Sequence, residues 1–273
     1  MQNFSASPRE MVASFWRNRQ LIYNLVQREV VGRYKGSMLG IFWSLATPIF
    51  MLAVYTFVFS VVFKARWGAG GSDTKTEFAL VLFAGLMIFN LFSECVGRAP
   101  GLILANVNYV KKVVFPLEVL PWVSMGSALF HFVVSLGVWL VAYIALFGAP
   151  HWHVLLLPLV LVPLVLFVMG LSWALSSLGV YLRDVGQIIG LVITVLMFLT
   201  PIFYPASSLP PAYQPLMFMN PLTPPIEMAR DLLYWGQLPH MTLLALYAAG
   251  SLACAVLGFA WFQKTRKGFA DVL

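Results

Sequence analysis

Residues 119–182 read VLPWVSMGSALFHFVVSLGVWLVAYIALFGAPHWHVLLLPLVLVPLVLFVMGLSWALSSLGVYL, 64 positions with no Asp, Glu, Lys or Arg. A helix of that length would be about three times longer than a bilayer core of roughly 30 Å requires. The run must therefore fold back on itself. Gly148-Ala149-Pro150-His151-Trp152-His153 is the break, because Gly and Pro interrupt helices and cluster in turns. Two membrane spans follow, 119–147 and 154–181. Outward from this hairpin the same reading gives spans at 41–63, 78–97, 185–203 and 241–262. The expected fold is an all-α integral membrane protein with six spans forming one domain over residues 1–273.

Composition agrees. Of 273 residues, 60% are hydrophobic and 10% charged, against roughly a quarter charged in soluble domains. This excludes a soluble enzyme, a disordered tail and a fibrous protein. The net charge of +7 reports orientation before it reports a basic partner surface, and no nucleic-acid partner is expected. Thirteen basic residues (Arg9, Arg17, Arg19, Arg28, Arg33, Lys35, Arg98, Lys111, Lys112, Arg183, Lys264, Arg266, Lys267) fall on one side, and Lys64, Arg66, Lys75 and Arg230 on the other. The positive-inside rule then puts both termini in the cytoplasm. The first 40 residues are charged and carry no signal-peptide core.

The flanks of the spans have their own grammar. Ser7-Pro8-Arg9-Glu10 is a capping box with proline at the first helical position. Leu21, Ile22, Leu25, Val26 and Val30 then recur at helical spacing, giving residues 1–40 the form of an amphipathic, interfacial arm; packing on a partner is a compatible reading. Residues 204–240 hold eight prolines and are apolar without being long enough to span. They read as an external re-entrant helical hairpin, with Thr223 as N-cap of a short helix from Pro224 to Tyr234; an ordinary outer loop is the alternative.

Chemistry is scarce. His131 is the lone titratable side chain near the middle of a span, and a hydrogen-bonded structural role is the expectation. Glu94 and Arg98, four residues apart, are expected to pair. No P-loop, GxSxG, metal-ligand spacing or carboxylate pair is present, so no catalytic or metal site is expected. Cys95 and Cys254 read as buried thiols. Aromatic residues are 15% of the chain. In span one Trp43, Phe50 and Phe57 recur every seven residues, and Tyr55, Phe59 and Phe63 every four; span five ends in Phe198, Phe203 and Tyr204. Such rings can stack on sugar faces or simply pack against helices and lipid.

Several motifs share a family pattern. Arg33-Tyr34-Lys35-Gly36-Ser37-Met38-Leu39-Gly40-Ile41-Phe42-Trp43 followed by Pro48, Asn106 to Pro121 (NVNYVKKVVFPLEVLP), Tyr181-Leu182-Arg183-Asp184-Val185, and the closing Gly268-Phe269-Ala270-Asp271-Val272-Leu273 occur in order from about residue 20 onward. The chain resembles the permease subunits of type-2 ABC transporters that export polysaccharide, most of all the O-antigen (lipopolysaccharide) exporters. Capsule and teichoic-acid exporters share most of the pattern.

That resemblance implies a homodimer in the bacterial inner membrane, bound to two cytoplasmic ATPase subunits that carry the ATP and Mg, with a lipid-linked polysaccharide as substrate. It implies ATPase-coupling roles for Asn108, Tyr109, Lys111, Lys112, Phe115, Glu118, Arg183 and Asp184. It implies an interfacial gate at Arg28, Arg33, Tyr34 and Lys35, and a channel lined from Trp43, Phe50, Tyr55, Phe57, Phe59, Phe198, Phe203 and Tyr204. The competing class is a membrane-embedded glycosyl- or acyltransferase using His151/His153 or Glu227/Asp231.

Overall fold

The computed structural model describes residues 5–62, 75–111, 115–210 and 212–273. Lys112, Phe63, Lys64 and Arg66, named above, lie outside the described residues. Among those described the elements are helical. The N-terminal arm is two helices, α1 (Pro8–Arg17) and α2 (Arg19–Tyr34), parted at Asn18. Ser7 caps α1 by accepting the Glu10 amide at 3.2 Å. The Glu10 carboxylate does not complete the capping box; it takes Arg17 at 2.6 Å instead.

Span one is α3 (Trp43–Tyr55), led in by a 3₁₀ turn at Gly40–Phe42 and continued by a π-type turn over Thr56–Val62. Pro48 lies inside it. Span two is α4 (Lys75–Arg98). A connection containing α5 (Val107–Lys111) leads to α6 (Leu120–Phe147). The predicted break then appears: Gly148 ends α6 at φ 86°, a conformation that glycine reaches without Cβ strain. α7 (Leu157–Tyr181) returns.

The fifth apolar helix is shorter than expected. α8 (Val185–Leu199) has 15 residues, about 22 Å at 1.5 Å per residue, and stops before 203. The cause is Pro201: the residue before a proline is pushed out of the helical region, and Thr200 is extended at φ −94°, ψ 142°. Five helices are therefore long and apolar enough to cross a membrane, and α8 is a shorter apolar helix. Beyond it lie α9 (Gln214–Met219) and α10 (Thr223–Arg230), which runs into a π-type turn over Asp231–Trp235. Thr223 is not the cap. It is the first helical residue, Leu222 stands at the N-cap without a side-chain cap bond, and Asn220 accepts the Leu222 amide at 3.0 Å in the turn before the helix. α11 (Met241–Thr265) and α12 (Phe269–Val272) close the chain.

The helices pack around α4, whose residues from Phe78 to Val96 are almost all buried. α7 and α11 touch along their length. At their crossing Gly170 and Gly258 face each other, and a Cβ on either would run into the other helix's backbone. Ile22 and Leu25 of α2 are buried with Val119 and Val123 at the start of α6, and Val30 is buried as well, so the arm spends its apolar face on protein.

Candidate functional site

Four groups of side chains stand out. The first is built on Arg230. Its side chain is fully buried, donating from Nε to Val81 O at 3.1 Å, from Nη1 to Pro201 O at 2.6 Å and from Nη2 to Ile202 O at 2.9 Å. Glu227 neutralises it at 3.0 Å. The sequence reading placed Arg230 among the outward-facing charges; it is instead an internal strut joining α10, α4 and the segment after α8. That corrects one member of the charge count. The isolated carbonyls after α8 need such a donor, because Thr200-Pro201 ends the helix ladder there.

Beside it sits an aromatic seal. Phe59 stacks between Phe78 at 5.5 Å and Phe203 at 5.7 Å, and Phe198 leans on Phe203 at 6.0 Å. Tyr204 donates to Phe198 O at 2.8 Å. Span one and the end of α8 thus meet at this level through rings that the sequence had proposed as channel lining.

Toward the other end, a cavity of about 470 Å³ opens between α3, α4 and α6. Trp43, Tyr55, Thr47 and Asn90 are among its walls, and Arg33, Tyr34, Glu94 and His131 close it. Glu94 accepts from Arg33 Nη2 at 2.6 Å and lies 3.0 Å from His131 Nδ1. Tyr34 OH is 3.1 Å from His131 Nε2. Burial pushes the Tyr34 phenol above its ordinary value. Two expectations change here. Glu94 does not pair with Arg98 within its own helix, since Arg33 and His131 reach it from α2 and α6, while Arg98 is taken by Glu29. His131 does have a carboxylate partner. Its hydrogen-bonded role stands, as a pin between α2, α4 and α6.

The residues expected to couple to an ATPase divide by exposure. Asn108 and Lys111 are exposed, as are Arg183 and Asp184. Tyr109 and Phe115 stack at 4.3 Å, bracketing residues 112–114. Arg28 donates to Tyr109 OH at 3.0 Å, and Lys111 bonds the Leu273 carbonyl. Glu118 departs from the rest: it is buried and pairs with Arg266 at 2.5 Å. Lys35 is exposed at the end of the arm. A groove of about 510 Å³ runs between α2, the turn after α4 and Gly186.

The aromatic stripe of span one divides by face. Trp43 and Tyr55 look into the cavity, Phe59 into the seal, and Phe50 and Phe57 out of the chain at 65% and 60% exposure. Ile188, Leu191, Val195 and Phe198 do the same on α8. Sequence reasoning missed Glu29, Ser14 and Trp173 as structural partners. Arg266 carried only a charge-count signal, and Ser14 carried none.

A bundle with five helices long and apolar enough to cross a membrane is that of a multi-pass membrane protein. The chain belongs to the ABC-2 type transporter family, which matches it over residues 20–234. It is 30% identical over 263 residues to the O-antigen export system permease protein RfbA of Myxococcus xanthus, covering 96% of this chain and 98% of that one. An RfbA permease of Klebsiella pneumoniae is 28% identical over 258 residues, 93% of this chain and 95% of its own. The polysialic acid transport protein KpsM of Escherichia coli is 22% identical over 242 residues, 88% of this chain and 91% of its own.

Proposed function

We propose that this chain is the membrane-spanning subunit of an ATP-driven exporter that moves a lipid-linked polysaccharide, of the O-antigen type, outward across the bacterial inner membrane. Two copies form the conduit, with α8 as a sixth, short span and both termini in the cytoplasm. Two copies of a separate ATPase supply the energy and hold the ATP and Mg. The observation that carries this reading is the full-length similarity to O-antigen export permeases, at 28–30% identity over more than nine-tenths of the chain.

The geometry gives it a mechanism. The exposed side of α5, with Asn108, Lys111 and the Tyr109–Phe115 stack, is the surface an ATPase subunit pushes. Arg28, Arg33, Tyr34 and Lys35 form the interfacial gate where the arm meets the membrane. Trp43 and Tyr55 offer ring faces beside Thr47 and Asn90, a combination suited to sugars: the rings stack and the polar groups take hydroxyls. Phe59, Phe198 and Phe203 close the outer end until the spans part. The Phe50 and Phe57 side of span one and the bare side of α8 are where the second copy sits. Residues 204–240 are the outer re-entrant segment.

A second reading differs only in cargo. Capsule permeases are also similar, at 22% for KpsM and 25% over 228 residues for the capsule polysaccharide export inner-membrane protein CtrC of Neisseria meningitidis. Deleting the chain from its host tests both. O-antigen export predicts lipid-linked O-antigen accumulating inside the cell with capsule intact. Loss of capsule with normal O-antigen would favour the second cargo, and unchanged distribution of both glycans would overturn the proposal.

A further inference from the structure

Glu118 is the most constrained charged side chain of the cytoplasmic layer. Only 5% of it is exposed. Its Oε1 accepts from Ser14 of α1 at 3.0 Å, and its Oε2 from Arg266, just after α11, at 2.5 Å. Its carbonyl accepts from Trp173 Nε1 of α7 at 3.1 Å. Arg266 also donates to Phe115 O at 2.8 Å, gripping the same connection three residues earlier. Through its carboxylate Glu118 joins α1 and the end of α11 to the connection between α5 and α6, and through its backbone carbonyl it joins α7.

One route by which a push on α5 can reach α6 is the connection between them, in which residues 115–119 are described. A flexible connection would absorb it. Here the connection is clamped at two points by one guanidinium, and a buried, hydrogen-bonded ion pair resists separation strongly. Displacement of α5 must then carry Arg266, and through Ser14 the N-terminal arm, as one piece. The arm ends at Arg33 and Tyr34, which close the cavity through Glu94 and His131. Polar contacts thus hold the arm at Ser14 and again at Arg33 and Tyr34, and α2 spans the distance between them.

We propose, resting on the exporter reading above, that Glu118 is a buried positioning residue that transmits ATPase movement to the arm and last span, and is not itself an ATPase contact. E118Q keeps the shape and an acceptor for Ser14 but removes the charge that Arg266 requires. The test uses the full chain co-expressed with its ATPase. Export is read as lectin-accessible glycan on intact cells, and ATP turnover is read on the purified complex. E118Q is expected to insert, to hold the ATPase and to hydrolyse ATP within twofold of the unmutated complex, while export falls at least tenfold. The exchanged pair E118R/R266E is expected to export at least fivefold better than E118R alone.

Export by E118Q at the unmutated level would overturn the proposal. So would loss of the ATPase from E118Q, which would make Glu118 a docking contact. Loss of folded protein in E118Q and in the exchanged pair alike would reduce it to a packing role and overturn it as well. If the unmutated chain retains no ATPase, the exporter reading itself fails, whatever the variants do.

Discussion

Spans one and two are alike in composition and opposite in surroundings. Both are apolar enough to cross a membrane. In span two 83% of the most apolar 18 residues are buried inside the chain; in span one none are. Hydropathy measures transfer out of water, and lipid satisfies it as well as protein does. Burial inside a membrane protein must come from packing and polar contacts. Span two has these: Arg230 on the Val81 carbonyl, Trp139 donating to Leu80 O at 2.9 Å, and Glu94 tied to Arg33 and His131. Span one has aromatic rings at its outer end and a bare face elsewhere. One is the pillar of the fold, the other a wall awaiting a neighbour.

Substitutions should separate the two kinds of helix, and the largest effect belongs to neither. Gly258→Leu places a side chain where the Gly170 backbone already lies, and neither helix can yield. No folded protein should survive, which fluorescence-detected size exclusion in detergent would show as loss of the monodisperse peak. Arg230→Met strands the buried Pro201 and Ile202 carbonyls, removes the contact to Val81 and leaves Glu227 without its partner, and should cost about 3–5 kcal/mol in detergent unfolding. Ile88→Ala, at a fully buried position of span two, should cost about 2 kcal/mol, the low end for a core truncation because lipid tails replace part of the transfer gain. Phe50→Ala, on the bare face of span one, should change unfolding of the single chain by less than about 0.5 kcal/mol. It should still lower the fraction of two-copy particles counted by light scattering in nanodiscs. Equal melting shifts for Ile88→Ala and Phe50→Ala would erase the distinction.

The spans were legible because charge-free runs and Gly/Pro breaks are local signals. Gly148 marks its turn in the sequence itself. The end of α8 was legible in principle, since Pro201 dictates an extended Thr200, but a hydropathy run passes straight over it. The polar contacts were not legible. Glu94 and Arg98 sit at helical spacing, and that local rule predicts their pairing, yet both are taken by residues on other helices, Arg33 and His131 for the first and Glu29 for the second. Arg230 entered only as one charge on the outer side, because nothing local reveals that the Pro201 and Ile202 carbonyls converge on it. Ser14 and Trp173 give no sign of converging on Glu118. The aromatic stripe could be found by counting. Its division into cavity, seal and outer face depends on which neighbours surround span one.

The account's central claim is that the chain is a conduit powered by another subunit. The most direct measurement is translocation in proteoliposomes holding the chain, its ATPase and a fluorescent lipid-linked glycan, scored by a membrane-impermeant quencher. The account predicts that the glycan changes leaflet only when both proteins and hydrolysable ATP are present, and that the chain alone hydrolyses none. Translocation by the chain without the ATPase, or chemical modification of the glycan by the chain alone, would contradict it.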